Sequence, residues 1–242
     1  MSRLVSETLP IADVDTTLAA SLFAIFAAHY ECVERAQFEA DLVEKDFVLL
    51  LRDAATGEPR GFSTQKILRA EIGGEPVRAI FSGDTIIDRA VWGEQELVRA
   101  WCRFAGRVRV AEPSRLFWFL ISKGHRTYLY LPLFFRAFIP KRDTLFAPEL
   151  IRLRDELARE KFGGAYDPAS GVARFQSSRG RLAHPLAEVP PGRADDPDVQ
   201  FFLAANPGYA RGDELVCLAE ISPQNMRGLA ARMLAEGEAE HA

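Results

Sequence analysis

Hydrophobic positions in the first third of the chain change from a helical spacing to the spacing of strands. Over 17–30 apolar side chains recur every three or four residues, as at Leu22 and Phe26, which predicts a helix. A shorter repeat predicts a second helix over 35–42. Three apolar runs follow, separated by turn-rich segments, and they predict antiparallel strands over 47–52, 61–72 and 77–87.

The middle of the chain carries the strongest apolar signals. A helix is predicted over 94–107, with its inner side formed by Leu97, Trp101, Cys102 and Phe104. The run 115–121 is apolar almost throughout, which predicts a strand at the centre of the sheet with both faces covered. The pattern then predicts a short aromatic helix over 128–137, interrupted near Pro132, and a charged amphipathic helix over 147–160.

Regular patterning fades in the last third of the chain. Glycine, proline, serine and arginine dominate 163–197, which predicts a long loop of the kind that often covers a binding site. A closing β-hairpin is predicted from 201–205 and 214–221, followed by a helix over 224–234 and a polar tail over 235–242. The 242 residues fit one domain spanning 1–242.

Composition argues against several classes of function. Hydrophobic residues make up 48% and charged residues 26%, the balance of a globular protein, and a net charge of −4 argues against a nucleic-acid surface. No apolar run is long enough to span a bilayer, and the N-terminus lacks the pattern of a signal peptide, so we expect no membrane association and a cytoplasmic location. Three dispersed cysteines argue against a disulfide framework, and four histidines without ligand spacing argue against a metal.

Two segments carry a resemblance to a known superfamily. The first, IIDRAVWGEQELV over 86–98, resembles the strand-to-helix junction at which GNAT N-acetyltransferases wrap the cofactor pyrophosphate with glycine amides. Gly93 matches one glycine of that motif. Gln95 and Leu97 stand at the other two glycine positions, and Trp92 stands at the usual basic or glutamine position.

The second segment, SKGHRTYLYLPLFF over 122–135, resembles the superfamily line that supplies a tyrosine to the departing thiolate. Tyr130 falls on that tyrosine, Leu133 on a leucine and Phe135 on a phenylalanine. The predicted order of elements is also that of the GNAT fold. The resemblance implies an α+β fold with a central, mostly antiparallel sheet flanked by helices.

The resemblance also implies a reaction, acyl transfer from a thioester to an amine. It implies no tightly bound cofactor, and as cosubstrate an acyl-CoA or an acyl-phosphopantetheine. The expected partners are a small-molecule amine acceptor and, with the second donor, an acyl-carrier protein. The residues expected to bind the cosubstrate are Trp92, Gly93, Gln95, Ser122, Lys123 and Arg126.

Three residues are candidates for catalysis, and each has a structural alternative. Asp84 stands where members of the superfamily often carry the carboxylate that receives the amine proton. Strict alternation along its strand places Asp84 on the same face as Ser82 and Ile86, and a carboxylate there could instead cap or bridge structure. Tyr130 could be a core aromatic residue. His125 could be a base, because imidazole titrates near neutrality, or a solvated loop residue.

Other function classes remain open. The sequence contains no nucleophile elbow, phosphate-binding loop or dinucleotide fingerprint. Lys123 and Arg126 could hold a phosphate-bearing partner or could be solvated surface cations. Because the pyrophosphate loop lacks two glycines, the alternative function is a non-catalytic GNAT-fold module that binds a ligand or a protein. Lactone formation from an acyl-carrier donor is a third possibility.

Overall fold

An eight-stranded sheet forms the centre of the computed structural model, which describes residues 3–175 and 179–240. The strands in chain order are β1 (Leu4–Pro10), β2 (Tyr30–Glu31), β3 (Phe47–Asp53), β4 (Pro59–Ile72), β5 (Glu75–Ile87), β6 (Arg115–Ser122), β7 (Tyr166–Asp167), β8 (Val172–Ala173), β9 (Arg181–Leu182) and β10 (Glu214–Glu220). The order in the sheet is β1-β3-β4-β5-β6-β10-β8-β7, while β2 and β9 form a separate pair. All neighbours run antiparallel except β5 and β6, which are parallel.

Helices cover both faces of the sheet. They are α1 (Thr16–Ala27), α2 (Arg35–Val43), α3 (Glu96–Ala111), α4 (His125–Tyr128), α5 (Tyr130–Phe134), α6 (Pro148–Phe162), α7 (His184–Ala187), α8 (Pro197–Ala205) and α9 (Gly228–Ala239). Helices α3 and α9 pack on one face, and α1, α2 and α6 pack on the other. The predicted α+β fold class is confirmed.

The strongest apolar signals are confirmed by burial. The predicted inner side of α3 is buried at all four positions, and the side chains of β6 alternate between the two faces. Trp118 of β6 packs on the α3 side, whereas Phe119 packs on the α6 side. None of the helices in the described ranges is long and apolar enough to cross a bilayer.

A β-bulge changes the facing of β5 side chains. Gln65 of β4 pairs with Ser82, but Ser63 pairs with Thr85, so Gly83 and Asp84 together lie opposite a single residue of β4. The extra residue reverses the alternation beyond the bulge. Thr85, and not Asp84, therefore shares a face with Ser82, and the facing predicted from strict alternation is wrong.

The parallel pair β5 and β6 opens at the same place. Its register runs from Val77 opposite Arg115 to Ser82 opposite Leu120, and no pairing follows among the described residues. Strand β5 continues to Ile87 beyond this point. The two strand ends therefore leave a gap in the sheet, and the segments that follow them, which lead into α3 and α4, border it.

The predictions were least accurate at the chain ends. Strand β1, an edge strand beside β3, was not predicted. The stretch 201–205 is helical and not a hairpin strand, because Asp196 caps α8 by accepting from the amides of Asp198 and Val199, and Pro197 begins the helix. Helix α9 extends to Ala239, so most of the predicted polar tail is helical, while 241–242 lies outside the described residues.

The segment 163–197 is more regular than its composition indicated. Strands β7 and β8 extend the sheet beyond β10, and β9 pairs with β2 near the end of α1. Part of this segment, 176–178, lies outside the described residues. A role in covering a binding site stays a prediction.

Candidate functional site

Two adjoining cavities lie where β5 and β6 separate. The larger cavity, of about 390 Å³, lies between the end of β5, the start of α3 and α4. The smaller one, called here the polar cavity, has a volume of about 100 Å³ and lies between the bulge of β5 and the α1–α2 region. The two share part of their walls, formed by Tyr30, Thr85, Gly124, Thr127 and Leu182.

The start of α3 forms one wall of the larger cavity. Gly93 lies in this wall with φ of +97°, a backbone conformation that L side chains rarely adopt. Gln95 follows it as the N-cap of α3 and makes no side-chain capping hydrogen bond. The first amides of a helix have no partner within the helix, so this end of α3 offers donors and a positive dipole to an anion.

Of the two glutamates in the segment that leads into α3, Glu96 is held by residues outside the larger cavity. Glu96 accepts a hydrogen bond of 2.6 Å from the Ser6 hydroxyl of β1 and lies 3.7 Å from the Arg99 guanidinium. Glu94, by contrast, lines the larger cavity. The negative charge facing the cavity from this loop is therefore smaller than the sequence indicated.

Arginines surround Trp92 at the same cavity. The indole donates to the carbonyl oxygen of Ile87 over 2.9 Å, and its ring lies 5.6 Å from the Arg126 guanidinium carbon and 5.9 Å from that of Arg89. Arg126 donates to the Leu186 carbonyl oxygen over 2.5 Å. Burial and the charges of Arg89 and Arg193 lower the pKa of Arg126.

Arg89 and Arg193 act on Arg126 through their charges, although neither lines the larger cavity. Arg193 belongs to a short 3-10 helix within 163–197, some 67 positions after Arg126 in the chain. Nothing in the local sequence pattern links two residues so far apart. Only the tertiary packing of this segment brings the guanidinium groups near one another.

Tyr130 also lines the larger cavity. It begins α5, and its ring packs against that of Phe134 in a tilted arrangement with 5.4 Å between centroids. Burial raises the pKa of the phenol, so the side chain is neutral and can donate a proton. Trp92, Gly93, Gln95, Arg126 and Tyr130 are thus brought together around one cavity, as the resemblance implied.

Asp84 lines the polar cavity among oppositely charged groups. Burial raises the pKa of its carboxyl group, while the ammonium groups of Lys123 and Lys45 lower it in part. Lys45 is buried and donates to the carbonyl oxygen of Asp41 over 2.6 Å, and burial lowers the pKa of its ammonium group.

Lys123 lies in the polar cavity and not beside Arg126. Its ammonium group forms an ion pair with Glu214 Oε1 at 3.0 Å and donates to the Arg179 carbonyl oxygen at 2.9 Å. The second carboxylate oxygen of Glu214 is buried and has no hydrogen-bond partner among the described residues. Lys123 therefore balances buried carboxylates. It does not share a phosphate site with Arg126, and it is not a solvated surface cation.

Ser122 and His125 belong to neither cavity wall. Both are buried, with exposures of 0% and 1%, so His125 is not a solvated loop residue. Burial, together with the charges of Arg126 and Arg193, lowers the pKa of His125 to about 4, and the imidazole is neutral at pH 7. A residue so placed does not contact a ligand in either cavity, and its predicted role as a base finds no support.

Comparison with known proteins gives matches of fold only. No protein-family model matches this chain, and no curated protein matches it. A probable N-acyltransferase structure from Enterococcus faecalis aligns with 56% of this chain and 33% of its own, at 8% identity and a TM-score of 0.42. A GNAT family N-acetyltransferase from Escherichia coli, in complex with CoA, aligns with 55% of this chain and 69% of its own, at 13% identity and a TM-score of 0.40.

A third structure, an acetyltransferase from Trypanosoma brucei, aligns over nearly its whole length. The alignment covers 60% of this chain and 99% of that chain, at 17% identity and a TM-score of 0.39. The present chain therefore spans a third of the Enterococcus protein and almost all of the Trypanosoma protein.

Proposed function

We propose that this protein transfers an acyl group from a thioester donor, an acyl-CoA or an acyl-phosphopantetheine, to an amine. The observation that carries the proposal is the pairing of two cavities across the gap between β5 and β6. One cavity contains a neutral phenol, Tyr130, and the other contains a carboxyl group of raised pKa, Asp84. Amine acylation needs both a proton donor and a proton acceptor.

The larger cavity suits the donor. The start of α3 and the guanidinium group of Arg126 together favour phosphate groups, because guanidinium groups and helix amides both bind anionic oxygens. Its deeper wall is apolar and includes Ile86, Ile87 and Val98, a surface that suits an acyl chain or the pantetheine arm. This arrangement supports a phosphate-bearing thioester even though the loop carries one glycine where the superfamily carries three.

The polar cavity suits the amine acceptor. In the proposed reaction the amine nitrogen attacks the thioester carbonyl carbon, the carbon–sulfur bond breaks, and the amine proton passes to Asp84. The raised pKa of this carboxyl group makes its anion a stronger base than an ordinary aspartate. Tyr130 gives its phenolic proton to the departing thiolate.

Thiol release from a panel of donors tests the proposal. Wild-type protein is mixed with acyl-CoA and acyl-carrier donors of several chain lengths and a panel of amines, and free thiol and amide product are both measured. We expect matching release of thiol and formation of amide with at least one pair. Absence of donor consumption with every amine would reject acyl transfer.

Binding of CoA tests the donor side separately. We expect Arg126→Leu to weaken CoA binding by about tenfold or more in calorimetry, since it removes a charge-assisted contact. Arg152→Leu, at an exposed position of α6, is the matched control and should leave CoA affinity unchanged. Equal affinities for all three proteins would remove Arg126 from the donor site.

A non-catalytic binding module is the second candidate function. The observation that favours it is the loop before α3, in which Gln95 and Leu97 replace glycines and Glu94 lines the cavity. In this reading the side chains of Gln95 and Glu94 hold a ligand diphosphate away from the backbone amides. If Asp84→Ala and Tyr130→Phe both leave ligand binding intact and no acyl transfer is found with wild-type protein, the binding module is the better description.

A further inference from the structure

A chain of buried hydrogen bonds leads from the core to the wall of both cavities. It begins at Ser82, whose hydroxyl oxygen accepts from the indole nitrogen of Trp118 at 2.8 Å and from that of Trp101 at 3.3 Å. An indole N–H can only donate. The two indoles therefore occupy both acceptor positions of the Ser82 hydroxyl, and its own hydrogen must be donated to another atom.

The direction of the next bonds follows from that first one. Ser82 donates to Oε1 of Gln65 over 2.7 Å, which orients the amide so that its Nε2 donates to the Ser63 hydroxyl oxygen, also over 2.7 Å. Both Ser63 and Gln65 are buried, with exposures of 2% and 0%. Because both side chains are buried, solvent cannot accept a hydrogen bond from this part of the hydrogen-bond series.

Thr85 is the last residue in this series of hydrogen bonds. The Ser63 hydroxyl, having accepted from Gln65, lies 2.7 Å from Thr85 Oγ1, which is the acceptor for its hydrogen among the residues that the structure describes. If Thr85 were instead the donor, the buried hydrogen of Ser63 would lack an acceptor, which is costly inside a protein. Ser63 thus donates and Thr85 accepts, and the hydrogen of Thr85 is available to a further acceptor.

The position of Thr85 allows its hydroxyl hydrogen to reach a ligand in the cavities. Thr85 lines both cavities, and the β-bulge places it on the same face as Ser82, within reach of the buried network. We propose that the Thr85 hydroxyl is a fixed hydrogen-bond donor to a carbonyl oxygen of a ligand that spans the two cavities. The inference rests on the proposed function, in which that atom is the thioester carbonyl oxygen.

The chemical role of such a donor is stabilisation of developing charge. When the amine attacks, the carbonyl oxygen becomes negative, and a donor whose direction is already fixed need not reorient. Ser63, Gln65 and Ser82 act through Thr85 and are positioning residues. Thr85 itself contacts the substrate in this proposal.

Kinetics of Thr85 variants test the role. Thr85→Val keeps the shape of the side chain and removes the hydroxyl, and we expect kcat to fall by about 10²-fold with a small change in KM, the size reported for loss of one donor at a developing oxyanion. Thr85→Ser should restore most of the activity. Thr17→Val, on the exposed side of α1, is the matched control and should retain wild-type kcat.

A second measurement separates this inference from the proposed function. S-acetonyl-CoA carries a ketone that cannot be transferred, and its carbonyl stretch moves to lower frequency when the oxygen accepts a hydrogen bond. With a ¹³C-labelled ketone bound, infrared difference spectra should show a lower frequency in wild type than in Thr85→Val, and an intermediate frequency in Ser63→Ala.

The outcomes of the two measurements are distinct. A lower frequency in wild type, without any acyl transfer, would reject the proposed function and keep Thr85 as a carbonyl donor. Equal frequencies in wild type and Thr85→Val would overturn the inference even if transfer occurs. Failure of wild type to bind the analogue would overturn it as well, because the cavities would then not accept this carbonyl.

Discussion

Replacing Gly237 by alanine tests how closely α9 packs on α3. A Cβ atom built at Gly237 would lie 2.1 Å from the carbonyl oxygen of Arg103, and one built at Gly106 would lie 2.2 Å from the carbonyl oxygen of Leu234. Ordinary contacts of a Cβ atom begin near 3.4 Å. Because both neighbours are backbone atoms, the two helices must separate by about 1 Å or more to admit a methyl group.

The magnitude follows from three contributions. Overpacking against backbone atoms this close should cost about 2–3 kcal/mol, the upper part of the usual range. Alanine has a better helix propensity than glycine, which offsets up to about 1 kcal/mol. The ion pair of Arg103 with Glu236, at 2.8 Å across the same contact, adds little because both side chains are largely exposed. The expected net loss is about 1–2 kcal/mol, a fall in Tm of about 2–8 °C for a chain of this size.

Thermal unfolding followed by tryptophan fluorescence is the assay. Trp101 and Trp118 lie in the same core cluster as Leu234 and report on this side of the sheet. The matched control is Gly164→Ala, since a Cβ atom there meets nothing within 4 Å, and its Tm should stay near that of wild type. A Gly237→Ala variant that melts at or above the wild-type temperature would refute the close packing of the two helices.

Three further outcomes are expected. Tyr130→Phe should lower kcat by about 10²-fold with KM little changed, and an unchanged kcat in the thiol-release assay would remove Tyr130 from the reaction. In wild type, kcat/KM should rise with pH as Asp84 loses its proton above the usual aspartate range. Asp84→Asn should lower kcat/KM and abolish that rise. A rise that persists in Asp84→Asn would show that another group titrates. The pKa of His125 is lowered from its ordinary value of 6.5 to about 4 in the folded protein. Between these pH values the unfolded state binds more protons than the folded state, so the stability of the fold decreases as pH drops from 6.5 towards 4. The loss of urea stability between pH 7 and pH 5 should therefore be smaller in His125→Gln, and an equal loss would exclude His125 as its cause.

Sequence patterning predicted best where burial is complete along a whole element. The apolar run of β6 needs cover on both faces, and the spacing of Trp101 and Phe104 needs one buried side of a helix, so both elements could be placed from hydrophobicity alone. Strand β1 was not predicted because it is a partly exposed edge strand with polar residues and one acid, Glu7, among its apolar ones. The signal for α8, Asp196 followed by Pro197, was present but was outweighed by the apolar run after it.

The candidate site was predictable in part. Local motif resemblance singled out Trp92, Gly93, Gln95, Arg126 and Tyr130, and these five residues line the larger cavity. Their roles in binding and catalysis stay predictions. The same reasoning placed Lys123 beside Arg126, whereas the chain directs it to Glu214 on β10. Neighbours in sequence at the end of a strand can enter different cavities, and spacing alone does not show which.

The sequence by itself determined the order of the central elements from α1 to β6, the buried faces of α3 and β6, and the two segments that border the cavities, since each depends on local propensity and hydrophobic spacing. Tertiary structure decided what those segments do. The bulge opposite Thr64 depends on the register between β4 and β5, and that register places Thr85 on the face of Ser82 and Asp84 in the polar cavity. Burial then set the direction of the hydrogen bonds and the pKa shifts, because both depend on which groups exclude water, a property of the packed chain and not of any local stretch of it.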